Sequence, residues 1–356
     1  MISELTSLPR PAILAAGALT SAICVFVIIA KARDLGLMQA PVARSSHVRP
    51  TPTGGGIGIV AGTLLAGLLL PGGNGQTLSL LLLGALMAAL GLFDDWRPLP
   101  ARVRLPVQAL IVLLAIWITG GTAAIAGDSG AVIQLGAGLI LLLGGLWWVN
   151  LFNFMDGIDG IAGQQAVMMM ISAMAIAALG TPAALESWAW WLMAATASAT
   201  AAFLLFNLPP ARIFMGDAGS TFLGFVIVAI AMTSLVAGWL SLPQWLILSA
   251  LFASDATVTL IIRYLRGENI AEAHRSHAYQ RLARRFGAAR PVTLSAFGLN
   301  LLVILPLALL ARDTGFGWLA VLLVYLATAA LALLSGAGLP DHETAGIATY
   351  RRLLKR

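Results

Sequence analysis

The sequence predicts an all-α, polytopic membrane protein of about eleven transmembrane helices, and three observations predict it. Hydrophobic residues make up 59% of the 356-residue chain and charged residues only 10%, against about 25% charged in a soluble domain. Apolar runs of roughly 20 residues, long enough to cross a ~30 Å hydrocarbon core as helices, recur along the chain. The breaks between those runs hold the basic residues asymmetrically. The runs are continuously apolar, which excludes the short alternating strands of a membrane β-barrel.

The first run, 11–31, follows Glu4 and Arg10. It is too long for the apolar core of a cleavable signal, so it reads as a retained helix. It contains Cys24, the single cysteine, which excludes an intramolecular disulfide and a cysteine metal site. The second run, 54–71, opens on Gly54 to Gly56 and is closed by the turn "PGGNGQ". The third, 77–93, leads into "FDDWRPLPAR", and the fourth, 106–121, follows it. The fifth, 135–153, ends in "NLFNFMDGIDGIAG", from which the sixth, 161–180, emerges. The seventh, 187–206, and the eighth, 219–238, flank "FNLPPARIFMGDAGS". The ninth, 243–262, carries Asp255, the one carboxylate well inside a run, where an acid is functional or paired by default. The tenth, 291–311, and eleventh, 316–336, are separated by "ARDTGFG".

Orientation follows from the basic residues. With the N-terminus outside, the inner breaks hold Lys31, Arg33, Arg44 and Arg49, then Arg97, Arg102 and Arg104, then Arg212. Seven arginines between Arg263 and Arg290 follow, and then Arg351, Arg352, Lys355 and Arg356. Of the 21 Lys and Arg residues only Arg10 and Arg312 fall outside. The C-terminus is therefore expected to be cytoplasmic. The net charge of +6 needs no nucleic-acid partner. The chain reads as a single integral domain, 1–356. Segments 31–53, 94–105, 153–160, 207–218 and 263–290 form its cytoplasmic side, and 337–356 is a basic tail. Asp94, Asp95, Asp156, Asp159 and Asp217 all land on that side, on separate runs.

Four stretches and one long loop can carry chemistry. In "NLFNFMDGIDGIAG", Asn150, Asn153, Asp156 and Asp159 recur every third residue. A regular α-helix would fan them out. A 3₁₀ turn, or a break at Gly157 and Gly160, would gather them on one cavity. The expectation is a helix that loses regularity near Asp156. The adjacent Asp94 and Asp95 repel each other and stay ionised most easily beside a cation, either a metal or Arg97, Arg102 and Arg104. Asp217 precedes Ser220 and Thr221 at a helix start, where free amides favour phosphate. A carboxylate there suits a hard divalent cation shared with phosphate oxygens, Mg²⁺ foremost, or simply caps the helix. Gly54 to Gly56 in "ARSSHVRPTPTGGGIGIV" permit close backbone approach, or small-residue helix packing. The 263–290 loop, with its arginines and His277, can hold a diphosphate or meet anionic lipid heads.

These stretches together resemble the polyprenyl-phosphate N-acetylhexosamine-1-phosphate transferases, from about Lys31 to Arg285. "FDD", "NLFNFMDGIDGIAG", "FNLPPARIFMGDAGS" and the histidine loop occur in the family's order. "ARSSHVRPTPTGGG" and "HRSHAYQ" look most like the O-antigen-initiating branch. The resemblance implies that Asp217 binds Mg²⁺, for which Mn²⁺ can substitute, and that the catalytic Asp94 and Asp95 sit beside the reacting phosphates, Asp95 as base, nucleophile or metal partner. It also implies that Asn150, Asn153, Asp156, Asp159 and Asn207 line the nucleotide and diphosphate pocket, and that Phe214 stacks on uracil. Arg275 and His277 would offset phosphate charge, with His277 the first histidine of the loop. The sequence departs from the family at Tyr279 and Gln280, where relatives carry further histidines, and at Pro98, where a basic residue is usual.

The implied substrates are a UDP-N-acetylhexosamine and undecaprenyl or another polyprenyl phosphate. The implied place is a bacterial inner membrane, with the site facing the cytoplasm among membrane lipids; a homodimer is an admitted assembly. The peptidoglycan phospho-N-acetylmuramoyl-pentapeptide transferases are the nearest alternative within the superfamily. A polyprenyl-diphosphate phosphatase would ignore UDP-sugar. A transporter would gather its polar residues near mid-bilayer in two matching halves, and the sequence has no such repeat.

Overall fold

The computed structural model describes residues 8–39, 50–270, 272, 274–312, 314–346 and 349–350. The helices are α1 (Arg10–Lys31), α2 (Gly56–Leu69), α3 (Gly75–Trp96), α4 (Ala101–Thr119), α5 (Gly121–Ala126) and α6 (Ala131–Phe154). They continue as α7 (Ile161–Gly180), α8 (Trp188–Asn207), α9 (Asp217–Val236), α10 (Leu242–Leu265) and α11 (Ala278–Phe286). α12 (Arg290–Leu299), α13 (Leu305–Leu310) and α14 (Thr314–Ser335) complete the bundle. Two two-residue strands, β1 (Met38–Gln39) and β2 (Thr51–Pro52), pair antiparallel, with Met38 opposite Pro52. Arg44, Arg49 and the basic residues from Arg351 onward lie outside the described residues.

Among the described residues, ten helical segments are long and apolar enough to cross a membrane. The expected second span differs: α2 has 14 residues, about 21 Å of rise at 1.5 Å per residue. Gly54 and Gly55 are drawn out of the helix because the Gly55 and Gly56 amides donate to the carbonyls of Phe214 and Met215 (2.9 and 2.8 Å). The expected tenth span is continuous from Arg290 to Leu310, but a π turn at Asn300–Ile304 interrupts it. Pro306 follows, and it has no N–H to give the preceding turn. There the Asn300 side chain donates to Gln165 Oε1 of α7 (2.7 Å).

One apolar core runs from Ile13 of α1 to Val324 of α14. Helices α7 to α10 are mostly enclosed, whereas α1, α4, α6 and α14 turn most of their apolar surface outward. This is the arrangement expected of a bundle whose solvent is lipid. α1 and α2 touch at backbone distance: a Cβ on Gly58 would lie 2.6 Å from Ser21 O, and one on Gly62 would strike Gly17 O. Small residues therefore do set a helix contact here.

The two ends of the bundle are chemically unlike. At one end Arg10 pairs with Glu186 (3.2 Å), Trp188 donates to Gly67 O (2.9 Å) and Arg312 donates to Gly180 O (2.6 Å). At the other, the connections after α1, α3, α6, α8 and α10 meet one another. The first described helix begins at the first end and the last one finishes at the second. Among the described residues the acidic motifs thus gather at an end and not near the middle, contrary to a transporter's layout.

Candidate active site

The site is assembled where the C-terminal ends of α3 and α6 meet the N-terminal ends of α2 and α9. Asp94 and Asp95 close α3, and the structure gives them different partners. Asp94 is buried; its Oδ1 accepts the Leu99 amide (2.6 Å) and its Oδ2 pairs with Arg104 of α4. It therefore pins the 97–100 turn. Asp95 accepts the amides of Asp217 on Oδ1 (3.0 Å) and Ala218 on Oδ2 (3.2 Å). It caps α9 from a helix more than a hundred residues away, satisfying two donors that the first turn cannot satisfy itself. Those two amides, expected to be open to phosphate, are taken by Asp95. Gly216, at φ +79°, leaves room for this: a Cβ there would lie 3.0 Å from Asp95 Oδ2.

Asp217 stands at the first position of α9 and does not cap it. Its Oδ1 accepts from Asn153 Nδ2 (2.8 Å), and its Oδ2 lies 4.0 Å from Arg104 Nη1. The side chain remains 34% exposed, enough to meet a ligand. Asn153 also donates to Ser220 Oγ (2.9 Å), so two residues of α9 fix its amide. The N-termini of α2 and α9 are in contact: a Cβ on Gly56 would strike Gly219 Cα. Two helix dipoles thus present their positive ends at the same place.

The expected break after α6 is present. The helix ends at Phe154, and Gly160, at φ +76°, starts the turn into α7. It does not gather all four polar residues. Asn153 joins Asp217 directly. Asp156 lies in the break, and its carboxyl is held well above the usual carboxylate range. Burial is the main cause, followed by the charges of Asp217, Asp95 and Asp159. Asn150 points elsewhere: buried, it donates to Gln108 Oε1 (2.9 Å) and Leu146 O (2.8 Å). Asp159 Oδ2 accepts the Ala211 amide (2.9 Å) beside the cis Pro209–Pro210 bond. Asn207 is buried scaffold, accepting from Gly160 N (3.0 Å) and donating to Ile213 O (2.8 Å). The Phe214 backbone is fixed between Pro52 O (2.8 Å) and the Gly55 amide (2.9 Å), and the residue is half-buried.

The histidine loop reaches this cluster indirectly. His277 is 2% exposed; its ring lies 4.9 Å from the His274 ring and 5.6 Å from that of Tyr279. Its Nδ1 is 3.5 Å from Asp255 Oδ1. Asp255 accepts the amides of Ala278 (2.8 Å) and Tyr279 (2.9 Å), so the intramembrane carboxylate is the cap of α11. The Tyr279 hydroxyl donates to Phe154 O (2.9 Å), joining the loop to the end of α6. Gly157 makes room for it, because a Cβ there would lie 2.6 Å from Gln280 Nε2 and strike the Tyr279 hydroxyl. Arg275 pairs with Asp341 (3.1 Å). Burial, helped by the nearby positive charges, pushes the His274 imidazole down to about 3.

The donor set suits a hard divalent cation. Asp95 and Asp217 are close enough to Asp156 for their charges to oppose its ionisation, and such a group of oxygens is relieved by positive charge. Among the described residues no three acidic, histidine or cysteine side chains form a ready cage. Mg²⁺ does not need one, since it is usually held by one or two carboxylates together with substrate phosphates and water. Sequence reasoning offered Arg104 with Arg97 and Arg102 as a counter-cation for the Asp94–Asp95 pair without choosing among them, and it missed the Tyr279–Phe154 bond and the capping by Asp255. The first had a signal in the Asp-Asp repulsion; the other two had none.

A polytopic helix bundle with carboxylates, an arginine and two helix N-termini converging at one end is the kind of protein that handles phosphate esters at a membrane surface. Its relatives narrow this further. A sequence profile described as glycosyl transferase family 4 matches residues 77–235, the stretch from α3 to α9 that carries Asp94 through Asp217. The chain is 30% identical over 264 residues to a probable undecaprenyl-phosphate N-acetylglucosaminyl 1-phosphate transferase of Bacillus subtilis, covering 70% of each. It is 28% identical over 310 residues to the decaprenyl-phosphate N-acetylglucosaminephosphotransferase of Mycobacterium tuberculosis, covering 74% of this chain and 73% of that one. With a phospho-N-acetylmuramoyl-pentapeptide-transferase of Picosynechococcus it shares 31% identity over 227 residues, 58% of each. The chain belongs to glycosyl transferase family 4.

Proposed function

We propose that this protein transfers an N-acetylhexosamine 1-phosphate from a UDP-sugar to a polyprenyl phosphate, releasing UMP and starting a cell-surface polysaccharide of O-antigen type. The observation that carries the reading is the gathering of Asp95, Asp156 and Asp217 within electrostatic reach of one another beside the N-termini of α2 and α9. On the positive-inside argument this cluster faces the cytoplasm of a bacterial inner membrane. The sugar nucleotide arrives there, and the lipid phosphate lies there while its tail stays in the bilayer.

An oxygen of the lipid phosphate forms a bond to the phosphorus next to the sugar. The bridging oxygen leaves with UMP. The second pKa of a phosphomonoester is about 6, so the attacking group is largely dianionic near neutral pH and needs no strong base. Catalysis then consists of positioning and of offsetting charge. Asn153 orients the Asp217 carboxylate, and Arg104 keeps a positive charge beside it. Asp95 uses both oxygens to hold the first turn of α9, so its role in this arrangement is to fix that turn. Phe214, half-buried and tied through its backbone to Pro52 and Gly55, is the aromatic residue assigned to the base. Asp217 with the neighbouring carboxylates would hold Mg²⁺, which would supply neutralisation of the two anions.

The test is UMP release by the purified protein with Mg²⁺, polyprenyl phosphate and a panel of UDP-sugars. Asp217→Asn should remove activity and leave the thermal midpoint nearly unchanged; full activity of that variant would remove Asp217 from the mechanism. The relatives named as pentapeptide transferases support a second reading, in which the donor is UDP-N-acetylmuramoyl-pentapeptide. That donor belongs in the panel, and turnover of it alone would replace the first reading.

A further inference from the structure

We propose that Arg281 is a positioning residue, through which the segment after α14, residues 336–343, straps the histidine loop against the site. Its activity arm rests on the transferase reading above; its structural arm does not.

Arg281 sits on α11, and its amide donates to His277 O (3.0 Å), so the two residues share one turn. Its side chain is buried, 3% exposed. A buried guanidinium is costly unless its donors are satisfied. Here it donates to Leu339 O (2.6 Å), Pro340 O (2.7 Å) and Glu343 O (2.8 Å), with Ser335 O at 3.4 Å. All four carbonyls belong to the end of α14 and the segment after it. That segment therefore wraps the cation. Gly336, at φ +86°, lets it turn closely, since a Cβ there would lie 2.7 Å from Arg281 Nε.

The strap also holds the loop itself. The Gly338 amide donates to Ser276 O (2.8 Å), the residue before His277. Asp341 reaches Arg284 (2.6 Å) and Arg275 (3.1 Å). On the other side of α11, Asp255 caps the helix and the Tyr279 hydroxyl holds Phe154 O. A helix of nine residues is marginal by itself, so these tethers decide where α11 and His277 stand. Arg281, which the sequence leaves for lipid heads or a diphosphate, is turned inward to do this.

The experiment uses the full chain in detergent with Arg281→Met, Arg281→Lys, Asp341→Asn and the pair Arg281→Met with His277→Ala. The readouts are kcat and KM from UMP release, and hydrogen exchange of the 278–286 amides. Arg281→Met should lower kcat about 100-fold, the loss that a misplacement of about 1 Å can produce, with little change in KM. Arg281→Lys should recover part of it. In the His277→Ala background Arg281→Met should cost nothing further, because residues acting as one unit are not additive. Exchange at 278–286 should quicken in Arg281→Met and Asp341→Asn while α7 to α10 stay protected. Wild-type kcat with unchanged exchange in Arg281→Met overturns the proposal, and so do additive losses in the double variant. If Arg281→Met does not fold, Asp341→Asn decides: quicker exchange with lower kcat supports the strap, and wild-type behaviour in both refutes it. If the wild type releases UMP from no donor, the transferase reading falls, and the exchange data alone still judge the strap.

Discussion

Asn153 and Asn150 stand one turn apart in the same motif, and the structure gives them opposite jobs. Replacing Asn153 with Leu keeps its size and removes two hydrogen bonds, to Asp217 Oδ1 at 2.8 Å and Ser220 Oγ at 2.9 Å. The first is charge-assisted, a class worth about 1.5–3 kcal/mol. Asp217 would then be free to rotate beside Asp95 and Asp156. If that bond is kept in the transition state, its loss should lower kcat/KM about 10- to 100-fold, at 1.36 kcal/mol per tenfold. Asn150→Leu instead leaves Gln108, itself 1% exposed, without its donor. The cost of about 1–3 kcal/mol for an orphaned buried group should fall on stability. The assay is UMP release at varied UDP-sugar and Mg²⁺, alongside thermal unfolding followed by tryptophan fluorescence. Asn153→Leu should lose activity with a near-native midpoint, whereas Asn150→Leu should lose midpoint with near-native kcat/KM per folded molecule. The reverse pattern, or wild-type kcat/KM in Asn153→Leu, would refute the placement of Asn153 on Asp217.

Other perturbations have equally definite outcomes. Gly56→Ala puts a methyl against the Gly219 backbone, where neither helix can yield, so it should forfeit most activity and lower the thermal midpoint; an unaltered melting curve would count against the contact of the two helix N-termini. Tyr279→Phe removes the donor to Phe154 O, a bond of about 1 kcal/mol, and should loosen the loop measurably by hydrogen exchange at 278–286 without unfolding the bundle. His274, pushed down to about 3, is neutral in the folded loop but has an unfolded value of about 6.5. The opened loop therefore binds the extra proton between those two values, and stability is lost as pH falls through that window. Local opening of 274–286 should steepen by up to about tenfold per pH unit below 6.5, and a His274→Asn variant should flatten the dependence. Exchange that does not respond to pH after correction for intrinsic rates would place the His274 imidazole in water.

Much of this protein is legible in its sequence for one reason: the bilayer imposes a length and a composition on each span, and both are local. Run lengths and glycine-rich breaks mark ten of the spans to within a few residues, and the alternation of arginines puts the acidic motifs at one end. The resemblance in four motifs reaches the family. Even the loss of helix after Phe154 is readable, because Gly157 and Gly160 are in the motif itself.

What escaped is every fact that depends on a partner distant in the chain. Nothing in "FDD" says that Asp94 turns to Arg104 while Asp95 caps a helix that begins at residue 217. Asn150 and Asp159 read as pocket residues beside Asn153 and Asp156, and they are separated from them only by which neighbours α4 and the 207–213 turn bring up. Asp255 looks like an intramembrane acid in search of a function until α11 is placed over it. The short α2 follows from a backbone ladder with Phe214 and Met215, which no hydropathy window contains. The sequence by itself determined the bundle, the gathering of its acidic motifs at one end and the residue types available there, because those depend on composition and spacing. The tertiary structure alone decided which carboxylates stay partly open, as Asp217 does, and which are consumed as caps, because a hydrogen bond has direction and reaches only about 3 Å.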